Sequence, residues 1–351
     1  MAEAMLDDQT YVTTAEEEDR LPSDWLAWLV ESRLEGSSPE QIANELVKAG
    51  FERHLAETEL QRLNRNPAYA AADRMTQRFN KLKSIFDVKS SLANLAYGSG
   101  SVERRSKISE AEFLERYYSA NKPVILTGLL ANSPARQKWN PRYLAEVCGD
   151  ATVQIMSGRQ SDPRYEINCE SHKREIRMAD YVEMVEAGGS SNDYYLVANN
   201  GFFDRSDVQP LTREIPLLPE YLDHSNPGRK VFLWFGPAGT ITPLHHDVMN
   251  VMVAQIYGRK RFTLIPPEQT PYVYNNTGVY GEVDCGKPDY SKHPLYRQCK
   301  PISFVLTPGD ALFLPVGWWH YVKALDVSIM VSYINFKLPN AFEWSNPDFR
   351  W

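Results

Sequence analysis

Two histidines and an aspartate stand side by side in the segment TITPLHHDVMN at residues 240–250. In an extended strand, residues two apart project from the same face, so His245 and Asp247 are predicted to point together while His246 points away. A second segment, PGDALFLPVGWWHYV, carries His320 directly after two tryptophans. A single histidine is more often structural than functional, but these three side chains together could bind one metal ion.

Two imidazoles and one carboxylate form the facial triad of non-haem Fe(II) oxygenases, in which the ligands occupy one face and leave the opposite coordination positions open. An open site permits reaction, whereas a closed tetrahedral site would be structural. We therefore predict a catalytic metal site at His245, Asp247 and His320. The alternative from another class is a non-catalytic protein that keeps a metal for structure and binds a partner.

A lysine follows the same region, in the segment AQIYGRKRF at residues 254–262. A hairpin there would bring the ammonium group of Lys260 back toward the mouth of a barrel. A buried lysine requires an anionic partner. The distal carboxylate of a small dicarboxylate, with hydroxyl donors from Thr242 and a tyrosine, would satisfy it.

Short β-rich segments must position these residues. From residue 231 onward the chain contains VFLWFG, VMVAQIYG, KRFTLIP, ISFVLTPG, DALFLPVG and VSIMVSYINF, separated by Gly, Pro and Asp turns. Many short strands with such turns predict a barrel or sandwich. PVILTGLL at 123–130 and YYLVA at 194–198 are two further predicted strands, and helices are expected at 108–118 and 180–187. The interval 271–300, rich in Tyr, Asn, Gly and Asp, is predicted to be a loop insertion.

The first part of the chain is different in character. Residues 1–21 are acidic and polar, which predicts a disordered tail. Residues 22–87 predict helices, the clearest being the one that begins at Ser38 with a capping box to Gln41 and ends before Gly50. This helical region could be a cap, a dimerisation module or a substrate-recruitment module. Residues 88–107 are predicted to be a linker because they are rich in small residues and glycine, and 108–351 form the main domain.

Composition narrows the classes of partner. The chain has 351 residues, a net charge of −7 and four cysteines without C-x-x-C spacing. A negative net charge argues against binding to nucleic-acid phosphates, so no nucleic-acid partner is expected. The N-terminus lacks the order of a signal peptide and no apolar run reaches the length of a membrane span, so we expect no membrane partner and a cytoplasmic location.

The motifs PVILTGLL, TPLHHD, AQIYGRKRF, LPVGWWH and YINF occur in this order, and over residues 108–339 the chain resembles the JmjC or cupin-like 2-oxoglutarate oxygenases. Within that family it looks most like the asparaginyl hydroxylase that inhibits hypoxia-inducible factor and its bacterial relatives. The resemblance implies a mainly β fold with a double-stranded β-helix (jelly-roll) core, flanking helices and an N-terminal helical region. It also implies Fe(II), 2-oxoglutarate and O2 as cofactors.

The resemblance assigns roles to particular residues. Those that match the iron ligands are His245, Asp247 and His320. Those that match the co-substrate contacts are Lys260, Thr242 and Tyr195 at the distal carboxylate and Asn335 near the metal-chelating end. The chain departs from the hydroxylase six residues after the first ligand, where Val251 replaces an asparagine and the nearest asparagine is Asn250. It also ends at Trp351 without the hydroxylase's helical dimerisation region, so any homodimer is expected to form through the N-terminal helices.

The implied reaction is hydroxylation of a protein or peptide side chain with release of succinate and CO2. Several alternatives remain open: a small-molecule or nucleoside hydroxylase, an N-methyl demethylase of the same fold, or the non-catalytic metal-containing protein. A sugar isomerase on a cupin fold would have no need for Lys260. The acidic net charge favours a basic or neutral peptide substrate.

Overall fold

The computed structural model describes residues 20–95, 100–198, 201–225 and 230–342. The chain divides into two compact units, Met1–Val88 and Lys89–Trp351. Most of the predicted acidic tail lies outside the described residues. Its last two residues depart from the prediction, because Leu21 is buried in the first unit and Arg20 donates a hydrogen bond to Glu59 at 2.8 Å.

The first unit is helical. Its helices are α1 Ser23–Leu34, α2 Pro39–Lys48, α3 Arg53–Arg65 and the greater part of α4 Pro67–Leu95. At the start of α2, the Ser38 side chain accepts a hydrogen bond from the Gln41 amide and the Gln41 side chain accepts one from the Ser38 amide, the reciprocal pairing that the sequence predicts. A small core that includes Trp25, Leu29 and Leu46 joins α1, α2 and α3.

The segment 88–107 is not a continuous linker. Helix α4 continues through it to Leu95, and strand β1 occupies Glu103–Arg105. The helix continues because the residues up to Leu95 include no Gly or Pro, and Leu and Ala are good helix formers. The linker prediction is therefore wrong for residues 88–95, where small residues such as Ser and Ala belong to a helix.

The second unit is built mainly from strands. Its helices are α5 Glu110–Phe113, α6 Pro134–Lys138, α7 Pro141–Cys148, α8 Cys169–His172, α9 Met178–Ala187 and α10 Gln209–Thr212. Its other strands are β2 Val124–Leu126, β3 Thr152–Ser157, β4 Lys173–Arg177, β5 Tyr194–Tyr195, β6 Val231–Gly236, β7 Ile241–His246, β8 Val251–Tyr257, β9 Lys260–Ile265, β10 Ile302–Leu306, β11 Ala311–Leu314, β12 Trp319–Ala324 and β13 Ser328–Tyr333. No helix in the described residues has both the length and the apolar character needed to cross a membrane.

Two sheets form the core. One has the strand order β1-β2-β11-β8-β13-β6 and the other β10-β9-β12-β7, and every pair except the parallel β1–β2 is antiparallel. Their facing sides share a hydrophobic cluster that includes Val253 and Met330 from the first sheet and Phe262, Leu264 and Val322 from the second. This mainly β, jelly-roll arrangement confirms the predicted fold class.

The outer sides of both sheets are covered. Helices α7 and α9 contribute Leu144 and Val182 to the cluster on the outer side of the six-stranded sheet. A third sheet has the strand order β4-β3-β5, and its edge strand β5 carries the buried Tyr195. The segment 271–300 has only short 3-10 helices and isolated bridges, yet Tyr272, Val273 and Tyr296 pack with Trp319 on the outer side of the four-stranded sheet.

Candidate active site

The three candidate metal ligands come together at one end of the four-stranded sheet. His245 on β7 and His320 on β12 are directly paired across the two strands, and Asp247 follows β7 immediately. One ligand atom from each residue lies within 4.8 Å of the other two. His320 Nε2 is 3.7 Å from Asp247 Oδ2, and the two imidazole centroids are 4.0 Å apart. The spacing suits three ligands on one face of a single ion.

Backbone carbonyls orient both imidazoles. His245 Nδ1 lies 2.8 Å from the Pro243 carbonyl, and His320 Nδ1 lies 3.0 Å from the Trp318 carbonyl. A carbonyl can only accept a hydrogen bond, so each Nδ1 must carry the proton. The lone pair of each Nε2 is then available to a metal, as in most histidine metal sites.

The electrostatics of the cluster also suit a cation. Burial lowers the pKa of His320 well below its ordinary value, and His245 adds to the effect, so His320 is neutral near pH 7. Burial raises the pKa of Asp247, an effect that the adjacent His245 and His246 oppose. The Asp247 side chain keeps 34% of its surface exposed, so part of it is accessible to solvent.

His246 points to the opposite side of the sheet, as strand alternation predicts. Its ring packs edge-to-face on Trp319 with centroids 4.8 Å apart, and Trp319 belongs to the outer cluster. Residues 279–281 of the insertion pair with β7 beside these positions, since His246 N donates to Val279 O and Gly281 N donates to Leu244 O. The insertion therefore flanks the metal cluster through the free edge of β7.

Strand register places the predicted co-substrate residues on the inner face. His320, Val322 and Ala324 alternate along β12, and their partners are His245, Thr242 and Lys260. Cross-strand partners share a face, so Thr242 and Lys260 face the same interior as the metal cluster. Thr242 and His245 would lie on opposite faces of a regular strand. A register shift between His320 and Val322 inserts one extra residue into β7 and restores the shared face.

Lys260 is buried at the inner end of this face, with 1% of its surface exposed. Its Nζ donates a 2.5 Å hydrogen bond to the Tyr195 hydroxyl, and no carboxylate in the described residues pairs with it. Burial, together with the nearby Arg159 charge, lowers the pKa of Lys260 to about 7. Burial raises the pKa of Tyr195, so its hydroxyl keeps its proton. In its protonated form, the buried Lys260 ammonium group requires an anionic partner.

Asn335 lies outside the paired strands that place Thr242 and Lys260 on the inner face. It lies two residues beyond the end of β13, and its Nδ2 donates to the Asp223 carbonyl at 2.7 Å. The inner-face residue near the end of β13 is Ser332, whose Oγ accepts a 2.9 Å hydrogen bond from Trp234 Nε1. The contact between Asn335 and the co-substrate therefore stays a prediction. Ser332 was not among the residues predicted from the sequence.

Asn250, the asparagine nearest the substituted position, has a structural role. It is 1% exposed, its Oδ1 accepts from Val316 N at 2.8 Å, and its backbone exchanges two hydrogen bonds with the Asn340 side chain. Val251 starts β8 and packs against the inner cluster. An apolar side chain therefore stands where the hydroxylase has an amide.

Sequence reasoning missed Arg159. This arginine follows β3 and Gly158, is fully buried, and its Cζ lies 5.3 Å from the Tyr195 ring centroid. Nothing in its local sequence, SGRQ, distinguishes it from a surface arginine. Only its burial beside Tyr195 and Lys260 marks it.

Comparison with known proteins agrees with this geometry. Residues 110–337 match the family described as cupin-like domain. The chain is 33% identical over 254 residues to Lysine-specific demethylase JMJ30 of Arabidopsis thaliana, covering 70% of this chain and 55% of that protein. It is 32% identical over 231 residues to Lysine-specific demethylase 8 of Xenopus tropicalis, covering 63% and 49%. It is also 28% identical over 246 residues to tRNA wybutosine-synthesizing protein 5 of Gallus gallus, covering 66% and 76%.

The chain belongs to the cupin-like, JmjC-type family of 2-oxoglutarate oxygenases. The predicted cofactors, Fe(II), 2-oxoglutarate and O2, are those of this family. The chain spans about half the length of the first two relatives. The closer likeness to the asparaginyl hydroxylase stays a prediction.

Proposed function

We propose that this chain is an Fe(II)- and 2-oxoglutarate-dependent oxygenase that hydroxylates a protein or peptide side chain. One observation carries the proposal. Two imidazole Nε2 atoms and the Asp247 carboxylate converge on the same inner face as Lys260, a buried lysine without a carboxylate partner in the described residues.

The donor set fits Fe(II). Two nitrogen ligands and one carboxylate on a single face are typical of non-haem Fe(II) oxygenases, and the Nδ1 hydrogen bonds leave both Nε2 atoms free to bind. A binding protein that uses the metal only for structure would not need a buried cation on the same inner face. The pairing of His245, Asp247 and His320 with Lys260 therefore favours the enzyme over the non-catalytic alternative.

Bound together, Fe(II) and 2-oxoglutarate supply the oxidative chemistry that adds one oxygen atom from O2 to a C–H bond while 2-oxoglutarate becomes succinate and CO2. The role of the chain's own residues is to bind and orient the metal and the co-substrate. Lys260, with Tyr195 and Thr242, would hold the distal carboxylate by charge-assisted hydrogen bonds. The apolar interior formed by residues such as Phe262 and Val322 excludes water, which strengthens those interactions.

The substrate is proposed to be a protein or peptide. The acidic net charge of −7 favours a basic or neutral peptide. A second candidate, oxidation of an N-methyl group followed by demethylation, is favoured by the names of two relatives, both called lysine-specific demethylases. A small molecule or nucleoside substrate is the remaining alternative.

The test combines turnover with mass spectrometry. Fe(II)-loaded protein is incubated with 2-oxoglutarate, O2 and a peptide library that contains unmodified and N-methylated lysines, and succinate is quantified. We expect succinate together with an oxygen-dependent gain of one oxygen atom on a peptide. If a methylated peptide instead loses the mass of one CH2 group and formaldehyde is released, the reaction is demethylation and the hydroxylase proposal is wrong. Absence of succinate under every condition would contradict the oxygenase itself.

A further inference from the structure

Arg159 is a fully buried charge that the proposed reaction has not yet used. Its Nη2 donates to Glu166 Oε1 at 2.9 Å and to the Ile241 carbonyl at 2.6 Å. The guanidinium lies near two aromatic rings, with Cζ 4.2 Å from the Tyr165 centroid and 5.3 Å from the Tyr195 centroid. One nitrogen therefore ties together the segment after β3, the start of β7 and the acid Glu166.

The rest of the guanidinium lacks partners. Arg159 Nε and Nη1 are buried and make no hydrogen bond within the described residues. Buried N–H groups of a charged side chain are costly to leave unsatisfied, so an acceptor from a ligand or from ordered water is required.

Arg159 and Lys260 approach the same tyrosine. Arg159 lies near the Tyr195 ring, while Lys260 Nζ bonds to the hydroxyl of that ring. Among the residues that the structure describes, Glu166 is the single carboxylate hydrogen-bonded to this pair of cations. When Lys260 is protonated, the cluster of Arg159, Lys260 and Glu166 carries one excess positive charge in a buried site, and this favours an anionic ligand.

We propose that Arg159 is a positioning residue of the 2-oxoglutarate pocket: it holds Tyr195 and the start of β7 around Lys260, and its charge makes the pocket select a keto acid with a distal carboxylate. The proposal rests on the proposed function. It assigns to Arg159 a part in co-substrate selection and none in metal binding.

Arginine suits this position better than lysine would. The planar guanidinium group can donate hydrogen bonds to Glu166 and the Ile241 carbonyl from one nitrogen while the group also packs on the Tyr165 ring. The Ile241 carbonyl directly precedes Thr242, so the same bond fixes the strand that carries a predicted hydroxyl donor. The Arg159 charge also contributes to the lowered pKa of Lys260.

The experiment compares Arg159→Met and Arg159→Lys with the wild type and with a control, Arg177→Met. Arg177 lies on β4, the strand that pairs with β3; its side chain is 54% exposed and pairs with Asp150 at the surface. Calorimetry on Mn(II)-loaded protein measures the Kd of 2-oxoglutarate and of 2-oxobutyrate, which has the same chelating end but no distal carboxylate. Each Kd is measured across pH 6 to about 9, the range around the lowered pKa of Lys260, which is about 7. Circular dichroism and Tm report folding.

Wild type and Arg177→Met should prefer 2-oxoglutarate. In Arg159→Met the preference should fall by about tenfold or more, the effect expected when the displaced Tyr195 hydroxyl loses one hydrogen bond to a charged ligand. The pH above which affinity weakens should move upward because Lys260 loses a neighbouring cation. Arg159→Lys should keep the wild-type pH dependence but bind 2-oxoglutarate more weakly. If Arg159→Met does not fold, the Arg159→Lys affinity carries the test.

Unchanged selectivity and pH dependence in a folded Arg159→Met, or wild-type affinity in Arg159→Lys, would overturn the proposal while leaving the oxygenase intact. A wild-type protein that binds neither keto acid would instead overturn the proposed function.

Discussion

His245 and His320 face each other across neighbouring antiparallel strands, and each donates its Nδ1 proton to the carbonyl two residues earlier in its own strand segment. The same local hydrogen bond thus fixes both rings, and their centroids lie 4.0 Å apart. Both Nε2 atoms are thereby preorganised toward Asp247 before any metal arrives. Little reorganisation should accompany metal binding.

Replacement of one of these histidines should abolish both metal binding and turnover. His320→Ala removes one of the three candidate ligands, and we expect a fall in Fe(II) affinity and in succinate production to background. Metal content after dialysis and succinate formation measure the two effects. His54→Ala, which alters an exposed histidine of α3, is the control. Full metal retention by His320→Ala would contradict the ligand assignment.

Binding of 2-oxoglutarate should take up a proton above neutral pH. Lys260 has a pKa of about 7 in the free protein, so at pH 8 it is mostly neutral, and a bound carboxylate favours the ammonium form. Uptake should approach one proton at pH 8 and vanish near pH 6, where Lys260 is already protonated. Affinity should fall as pH rises above about 7. Calorimetry of metal-loaded protein in buffers of different ionisation enthalpy measures this uptake.

The matched variants for that measurement are Lys260→Met and Lys323→Met. Lys323 lies on β12 in the same sheet but is exposed on the other face. Lys260→Met should lose most 2-oxoglutarate affinity, and Lys323→Met should retain both affinity and proton uptake. Equal uptake in both variants would show that another group titrates.

Gly236 should matter because of the ring packed against it. A Cβ added there would lie 2.7 Å from Tyr195 Cδ2 and 3.2 Å from Thr240 Cγ2. Gly236→Ala should therefore displace the Tyr195 ring and its hydroxyl from Lys260, raising the KM for 2-oxoglutarate several-fold with a smaller change in kcat. Steady-state kinetics test this split. Gly100→Ala is the control, since its Cβ would meet no described atom within 4 Å outside its chain neighbours. An unchanged KM in a folded Gly236→Ala would count against Tyr195 as a co-substrate contact.

Asn250 should affect stability rather than chemistry. Asn250→Ala removes the acceptor for the Val316 amide and leaves a partly buried donor unsatisfied, which costs about 1 kcal/mol. Urea unfolding of the variant measures the loss. The Kd for 2-oxoglutarate in the folded fraction should stay near wild type. A large change in that Kd without loss of stability would instead give Asn250 a role at the site.

Local patterns were sufficient for much of the fold. Alternating apolar residues with Gly and Pro turns predict the strands of the two sheets, and the Ser38–Gln41 pairing predicts the start of α2, because alternation and capping depend on neighbours within a few residues. The linker prediction at 88–107 was wrong in part for the same reason. Small residues there permit either a flexible chain or a helix, and α4 continues to Leu95.

The sequence by itself determined which side chains could bind a metal and an anion: His245, Asp247, His320 and Lys260 stand out by type and spacing. Tertiary structure decided how they meet. The extra residue in β7 puts Thr242 on the inner face, and packing of β3 and β5 against the barrel buries Arg159 beside Tyr195. Strand pairing and burial join residues far apart in the chain, so their consequences for charge and position exist only after the sheets have closed.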